Sequence, residues 1–154
     1  MIVVSACLLG ENCKYSGGNN KSEKVKKFLE GKEYIAVCPE QLGGLSTPRD
    51  PSEIIVGENM LDGHDVLDKK TKVLSNKGVD VTENFIKGAK EALKIAKENN
   101  ATKAILKEGS PSCGGTRIYD GTFCGNKIKG MGVTAAIFDR ENIEIINENF
   151  ENNK

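Results

Sequence analysis

The sequence contains no tryptophan, and aromatic residues make up only 5% of it. A surface that stacks successive bases on aromatic rings therefore has little to be built from. There is no excess of positive charge either, because 22 Lys and Arg balance 22 Asp and Glu for a formal net charge of zero. That excludes the chain-wide basic footprint of a nucleic-acid binder, though not a local basic cleft. No apolar run approaches the roughly 20 residues that span a bilayer. The opening stretch Met1-Ile-Val-Val-Ser-Ala-Cys7 ends like a lipoprotein cleavage box. No Lys or Arg precedes it, however, and its apolar part is far shorter than the usual apolar region of about 7–15 residues. It reads as a buried first strand, and the expected location is the cytoplasm. There is one histidine. His64 lies in Asp62-Gly-His-Asp65, where it reads as a solvated turn residue rather than a ligand.

What is present is a chain of 154 residues, 38% hydrophobic and 29% charged, which suits one soluble domain spanning 1–154 with one core. Ile2-Val-Val-Ser-Ala-Cys7 and Tyr34-Ile-Ala-Val-Cys38 are short apolar runs that read as buried strands, and Lys103-Ala-Ile-Leu-Lys107 is a third. Ser22 is placed to cap a helix running to about Leu29, which Gly31 stops. Residues 39–52 read as loop, punctuated by Pro39, Gly43, Gly44, Pro48 and Pro51. Within 53–80, Val66 to Leu74 reads as a hairpin or a polar excursion.

A long helix is expected from Val81 to Asn99. Its apolar face holds Phe85, Ala89, Ala92, Leu93 and Ala96, and Asp80 and Glu83 have capping-box spacing. Glu108 to Gly115 is a loop, Val133 to Phe138 a short helix, and Ile143 to Ile146 a last strand. The polar tail Asn147–Lys154 is expected to fray. Strands alternating with helices imply an α/β fold, a single three-layer domain with a mainly parallel sheet.

The five cysteines carry the chemistry. In a reducing compartment they are not expected to form structural disulfides. Cys7, Cys38 and Cys113 each follow an apolar strand at or just beyond its carboxyl end, where open α/β sheets bind ligands. Three thiols distant in sequence can thus meet at one point. Soft thiolates select zinc, copper(I) or iron–sulfur clusters. No acidic residue or histidine is placed by motif to complete a zinc shell, which favours a cubane with one iron free of protein ligation. The bland alternative is buried, inert thiols.

Several motifs follow one another along nearly the whole chain. They are Ser5-Ala-Cys-Leu-Leu-Gly10, then Tyr15 and Gly17, Cys38-Pro-Glu-Gln-Leu-Gly-Gly-Leu-Ser-Thr-Pro-Arg49, Ser110-Pro-Ser-Cys-Gly114 and Gly132-Val-Thr-Ala-Ala136. Together they resemble the thiouracil desulfidase family. The resemblance implies a [4Fe-4S] cluster on Cys7, Cys38 and Cys113, an acid/base carboxylate at Glu40 and a functional serine, Ser110 in preference to Ser112. Ser112 and Arg49 are candidates for substrate binding. Their plainer roles are to satisfy loop backbone groups and to tie the proline-rich loop through a carboxylate. Cys13 and Cys124 are not expected to be ligands, with Cys13 the main rival. One departure is visible. Where the family usually has Arg-Tyr-Asp-Gly, this chain has Lys14-Tyr-Ser-Gly17, which exchanges a planar bidentate donor for a point charge.

The implied reaction is a non-redox desulfuration of a small thiolated heterocycle such as thiouracil, with the unique iron taking the leaving sulfur and Glu40 activating water. The expected partner is a small molecule. Neither a membrane nor intact nucleic acid is expected, and the sequence specifies no oligomeric state. Two other classes compete. In Cys113-Gly-Gly-Thr-Arg117 the arginine comes too soon to wrap a phosphate as in a Cys-x5-Arg phosphatase, and no histidine is placed as base. A non-catalytic iron–sulfur or zinc protein that binds or delivers metal or sulfide would use the same thiols without needing Glu40 or Ser110.

Overall fold

A computed structural model describes residues 1–150. Strand β1 (Ile2–Ser5) pairs in parallel with β2 (Tyr34–Val37) on one side and β5 (Lys103–Ile105) on the other, and β5 pairs in parallel with β8 (Glu144–Ile146). The sheet order is β2-β1-β5-β8. The three apolar runs that end near the cysteines lie side by side, and their carboxyl ends share one edge. Alternation along each strand sends side chains to opposite faces. Val3, Val37, Ala104 and Leu106 meet Ala92 and Ala96 of helix α4 (Thr82–Glu98) and Ala135 and Phe138 of helix α5 (Val133–Arg140). Val4 and Ile105 face the other way, onto Leu8 and onto Val25 and Leu29 of helix α1 (Glu23–Leu29). The result is helix, sheet, helix, a mixed α/β fold with a mainly parallel sheet.

Helix α1 begins as expected, with the Ser22 side chain accepting from Val25 N at 3.2 Å. The start of α4 differs. Asp80 Oδ1 accepts from Thr82 N and Thr82 Oγ1 at 2.9 and 2.6 Å, and Val81 takes the cap position without a side-chain bond. That shift puts Glu83 at the second helical position, out of capping-box register, and it pairs with Lys69 at 2.8 Å instead.

Residues 39–52 are not all loop. Pro39–Leu42 forms a helical turn, α2, because Pro39 at its first position needs no N–H partner and has the required φ. Ser52–Ile54 is strand β3. Farther on, Val66 and Leu67 close helix α3 (Gly63–Leu67) rather than open a hairpin, and strand β4 (Val73–Ser75) pairs antiparallel with β3. The capping box sits here, with Asp62 accepting from His64 N and Asp65 accepting from Asp62 N. His64 is no solvated turn residue. Its Nδ1 accepts from Arg140 Nε at 3.1 Å and its Nε2 lies 3.3 Å from Asp139, so it ties α3 to α5.

An antiparallel hairpin of β6 (Arg117–Tyr119) and β7 (Lys127–Lys129) follows the cysteine loop, held to the core by the buried Ile118. The tail does not fray where it is described. Phe150 packs edge-on against Phe28 with ring centroids 5.0 Å apart, because an aromatic ring in a polar tail gains by leaving water. Residues 151–154 lie outside the described residues.

Candidate active site

Parallel pairing brings three connections to one rim. After β1 the chain turns into a short 3₁₀ segment, Ala6–Leu9, that carries Cys7. After β2, Cys38 stays extended and caps α2, so its sulfur lies beside the first turn that carries Glu40. After β5 comes the loop that carries Cys113. That loop is grafted onto α5. The first amides of a helix lack intrahelical partners, and here Gly132, Val133 and Thr134 N donate to the carbonyls of Gly114, Pro111 and Ser112 at 2.8 Å each. The approach is so close that a Cβ on Gly132 would lie 2.5 Å from Ser112 backbone atoms. Gly88 does the same for α2, since a Cβ there would meet Pro39 O at 1.9 Å. Two glycines thus let α2, which carries Glu40, pack on α4, and let the Cys113 loop pack on the start of α5.

Cys7, Cys38 and Cys113 line one cavity of about 390 Å³, together with Glu40, Ser110 and Ser112. All five cysteines are free thiols. Burial pushes the Cys7 thiol up, opposed by the Asn20 side-chain amide 3.4 Å from its sulfur. Burial pushes Cys113 up much further, with the Ser5 hydroxyl opposing. Cys38 goes the other way. Its sulfur lies against the Cys13 turn, with Sγ 3.7 Å from Cys13 O, and the neighbouring Cys13 thiol together with the Gln41 backbone amide holds the Cys38 thiol below its ordinary value against burial. Cys13 is raised in turn by the same contact. Cys13 therefore lines the cavity as a partner of Cys38, whereas Cys124 is exposed in the β6–β7 connection, away from the cavity.

Among the described residues, no group of three His, Cys, Asp or Glu side chains is placed to hold a single metal ion. The three thiols instead come from three separate strand connections and line one cavity. An all-sulfur donor set spread in this way fits a polynuclear iron–sulfur cluster, which presents its irons at different corners, better than it fits one zinc.

Arg49 lines the cavity but its donors are spent. Nε and Nη2 both donate to Glu40 Oε2, Nη1 donates to Ser46 O and Thr47 Oγ1 at 3.1 and 2.8 Å, and Nη2 reaches Cys13 O at 2.9 Å. All five N–H groups of the guanidinium have protein acceptors. The pair is shielded, with side chains 8% exposed for Arg49 and 16% for Glu40. In this arrangement Arg49 orients Glu40 and ties the proline-rich loop to the Cys13 turn. Glu40 Oε1 accepts no protein hydrogen bond among the described residues. Ser112 is 1% exposed, and its hydroxyl pairs with Thr134 Oγ1 at 2.8 Å. Ser110 Oγ accepts from Ser112 N and Cys113 N at 3.0 and 3.1 Å, which shapes the turn and leaves its own proton to donate.

Sequence reasoning missed Glu108. Its Oε1 accepts from the amides of Gly109, Gly115, Thr116 and Arg117 at 3.0–3.3 Å, and Oε2 accepts from Asn147 Nδ2 at 2.8 Å and from the Thr116 hydroxyl. Burial would push this carboxyl up, but those donors hold it down to about 2. The signal was available, because a carboxylate opening a glycine-rich loop is a natural acceptor for that loop's orphan amides.

A family model described as 2-thiouracil desulfurase matches residues 2–150. The uncharacterized protein YbbK of Bacillus subtilis (strain 168) is 50% identical over 149 residues, covering 97% of this chain and 96% of YbbK. The solved structure of the [4Fe-4S]-dependent thiouracil desulfidase TudS superposes with a TM-score of 0.79 at 39% identity, covering 96% of this chain and 89% of that one.

Proposed function

The chain belongs to the 2-thiouracil desulfurase family, and from that premise we propose that it is a [4Fe-4S]-dependent, non-redox desulfidase acting on a small thiolated heterocycle such as thiouracil. One observation carries the reading: three free thiols from three strand ends share a cavity with an arginine-oriented carboxylate. Residues 1–154 act as one domain. Free thiols and a thiolate-bound cluster suit a reducing cytoplasm, and no helix among the described residues is long and apolar enough to cross a membrane.

Cys7, Cys38 and Cys113 are the ligands in this reading. When bound, the cluster would supply one iron without a protein ligand, a Lewis acid able to polarise the C–S bond and accept sulfide. The protein does the rest. Glu40, fixed by Arg49 with one oxygen left over, takes a proton from the attacking water and returns it during collapse. Sulfur leaves with its electron pair and oxygen replaces it, so no external electron donor is needed. Ser110, its oxygen fixed by two amides, donates its proton to a ring atom of the substrate. Arg49 serves substrate binding by orienting Glu40, and Ser112 by holding the Ser110 turn against Thr134. A cavity of about 390 Å³ and a neutral chain favour a free base or similar heterocycle over intact nucleic acid.

The test is anaerobic reconstitution with iron and sulfide counting, followed by competition among a thiopyrimidine base, its monophosphate and a thiolated RNA. Four irons per chain and turnover of the small substrates are expected. A cluster without turnover would leave the binding or delivery protein as the answer. Preference for the RNA by more than about tenfold, or about 1.4 kcal/mol, would overturn the substrate assignment.

A further inference from the structure

Three thiolates bring three negative charges into a partly enclosed cavity, and a thiolate form of the substrate would add another. Charge held away from water is costly unless an opposite charge is near. Four cationic residues line the cavity: Lys14, Arg49, Lys107 and Lys127. Arg49 has given every donor to the protein. The Lys127 ammonium lies over the Tyr119 ring, 5.3 Å from its centroid. Lys14 lies in the turn where this chain departs from the family's arginine.

Lys107 is built differently. Its backbone N–H donates to Ser5 Oγ at 3.0 Å, which fixes it to the end of β1 two residues before Cys7. The next residue, Glu108, starts the loop that carries Cys113. Its ammonium donates to Glu108 O at 2.8 Å and lies 3.0 Å from Glu148 Oε2. Glu148 also accepts from Glu108 N through Oε1 at 2.9 Å, so this carboxylate grips both residues. An ammonium has three donors: Glu108 O takes one, Glu148 Oε2 stands in ion-pair contact, and a third is left over. The pair is sheltered, with side chains 29% exposed for Lys107 and 16% for Glu148.

We propose that Lys107 is a binding residue of the site, its third N–H serving the anionic sulfur of the substrate and its charge offsetting that of the thiolates, and that Glu148 in the carboxyl-terminal segment is the positioning residue that holds it there. The inference rests on the desulfidase reading above. It makes the segment after β8 part of the active site.

The test uses the full-length chain with its cluster reconstituted, and reads both the cluster's midpoint potential and the KM and kcat for thiouracil. Lys107→Met removes a positive charge and is expected to lower the potential while raising KM about tenfold. Lys107→Arg is expected to keep both near wild type. Glu148→Gln removes the opposite charge and is expected to raise the potential, with a smaller rise in KM. Opposite shifts are the signature, because a merely structural defect would not reverse sign between the two variants. Potentials that move together or not at all, or an unchanged KM in Lys107→Met, would overturn the proposal. A wild-type protein that binds no cluster or leaves thiouracil intact would overturn the desulfidase reading itself, and this inference with it.

Discussion

The two walls of the cavity are built on opposite principles. The wall formed by the connections after β1 and β2 is a wall of side chains. There the Cys38 thiol is held below its ordinary value beside Cys13, and Glu40 is aimed by an arginine with no spare donor. The wall formed by the connection after β5 is a wall of backbone. Cys113 there is buried and its thiol raised, while amides run from the loop to Glu108 and from α5 back to the loop. The first wall supplies reactivity, and the second supplies a fixed position. A substitution on the first should therefore change rate without much change in stability, and a substitution on the second should do the reverse.

The sharpest break in that contrast is Glu40→Gln. Losing an acid/base group costs on the order of 100-fold or more in rate, so kcat should fall at least that far while the cluster's absorbance and the melting temperature stay near wild type. Near-normal turnover would remove Glu40 from the mechanism. On the opposite wall, Glu108→Ala strips the acceptor from four backbone amides. Water reaches part of this half-buried site, so we expect a loss of about 2 kcal/mol rather than the full sum, a fall in Tm of roughly 4–8 °C, and less iron retained after reconstitution. Unchanged melting would show that the loop holds itself.

Arg49→Lys tests the seam between the walls. A lysine keeps the charge but loses the fork that grips Glu40, Thr47 and the Cys13 carbonyl at once. We expect kcat to drop about tenfold, equivalent to about 1.4 kcal/mol, with KM little changed. A large rise in KM at constant kcat would instead mean that Arg49 binds substrate directly.

The contrast also explains what the sequence revealed. Apolar β-branched runs ending in cysteine located β1 and β2, and the runs themselves implied parallel neighbours, so the meeting of Cys7, Cys38 and Cys113 at one rim was legible. The helical face of α4 was legible for the same reason, since burial leaves a period. The supporting contacts were not, because they lie in polar segments where period carries no signal. The strands β6 and β7 each offer a single apolar residue between flanking polar ones, Ile118 and Ile128, and only packing shows that Ile118 is buried. Asn147 and Glu148 looked like fraying tail, yet both bind the residues next to the cysteine loop. Phe150 was the one overlooked clue to docking.

The smallest effect concerns pH and separates the carboxylate of the backbone wall from the rest of the chain. Glu108 has a folded value of about 2 against an ordinary 4.5. A carboxyl held low contributes stability that is fully present above 4.5 and is lost as pH falls through that window toward 2. The whole shift would correspond to about 3 kcal/mol at 1.36 kcal/mol per unit. Solvent screening at a half-exposed site reduces this, and we expect about 1 kcal/mol. Asp68, Asp80 and Asp120 are also held low by Arg140, Thr82 and Thr122, so wild-type acid denaturation mixes several groups. The difference between wild type and Glu108→Gln isolates one of them. The amide keeps an oxygen for some of the loop amides but has no proton to gain in this range. Urea unfolding of both proteins at pH 6 and pH 3 should therefore show the stability gap narrowing by about 1 kcal/mol at the lower pH. A gap that stays constant would mean that the loop amides do not hold the carboxylate low, and that the second wall is fixed by α5 alone.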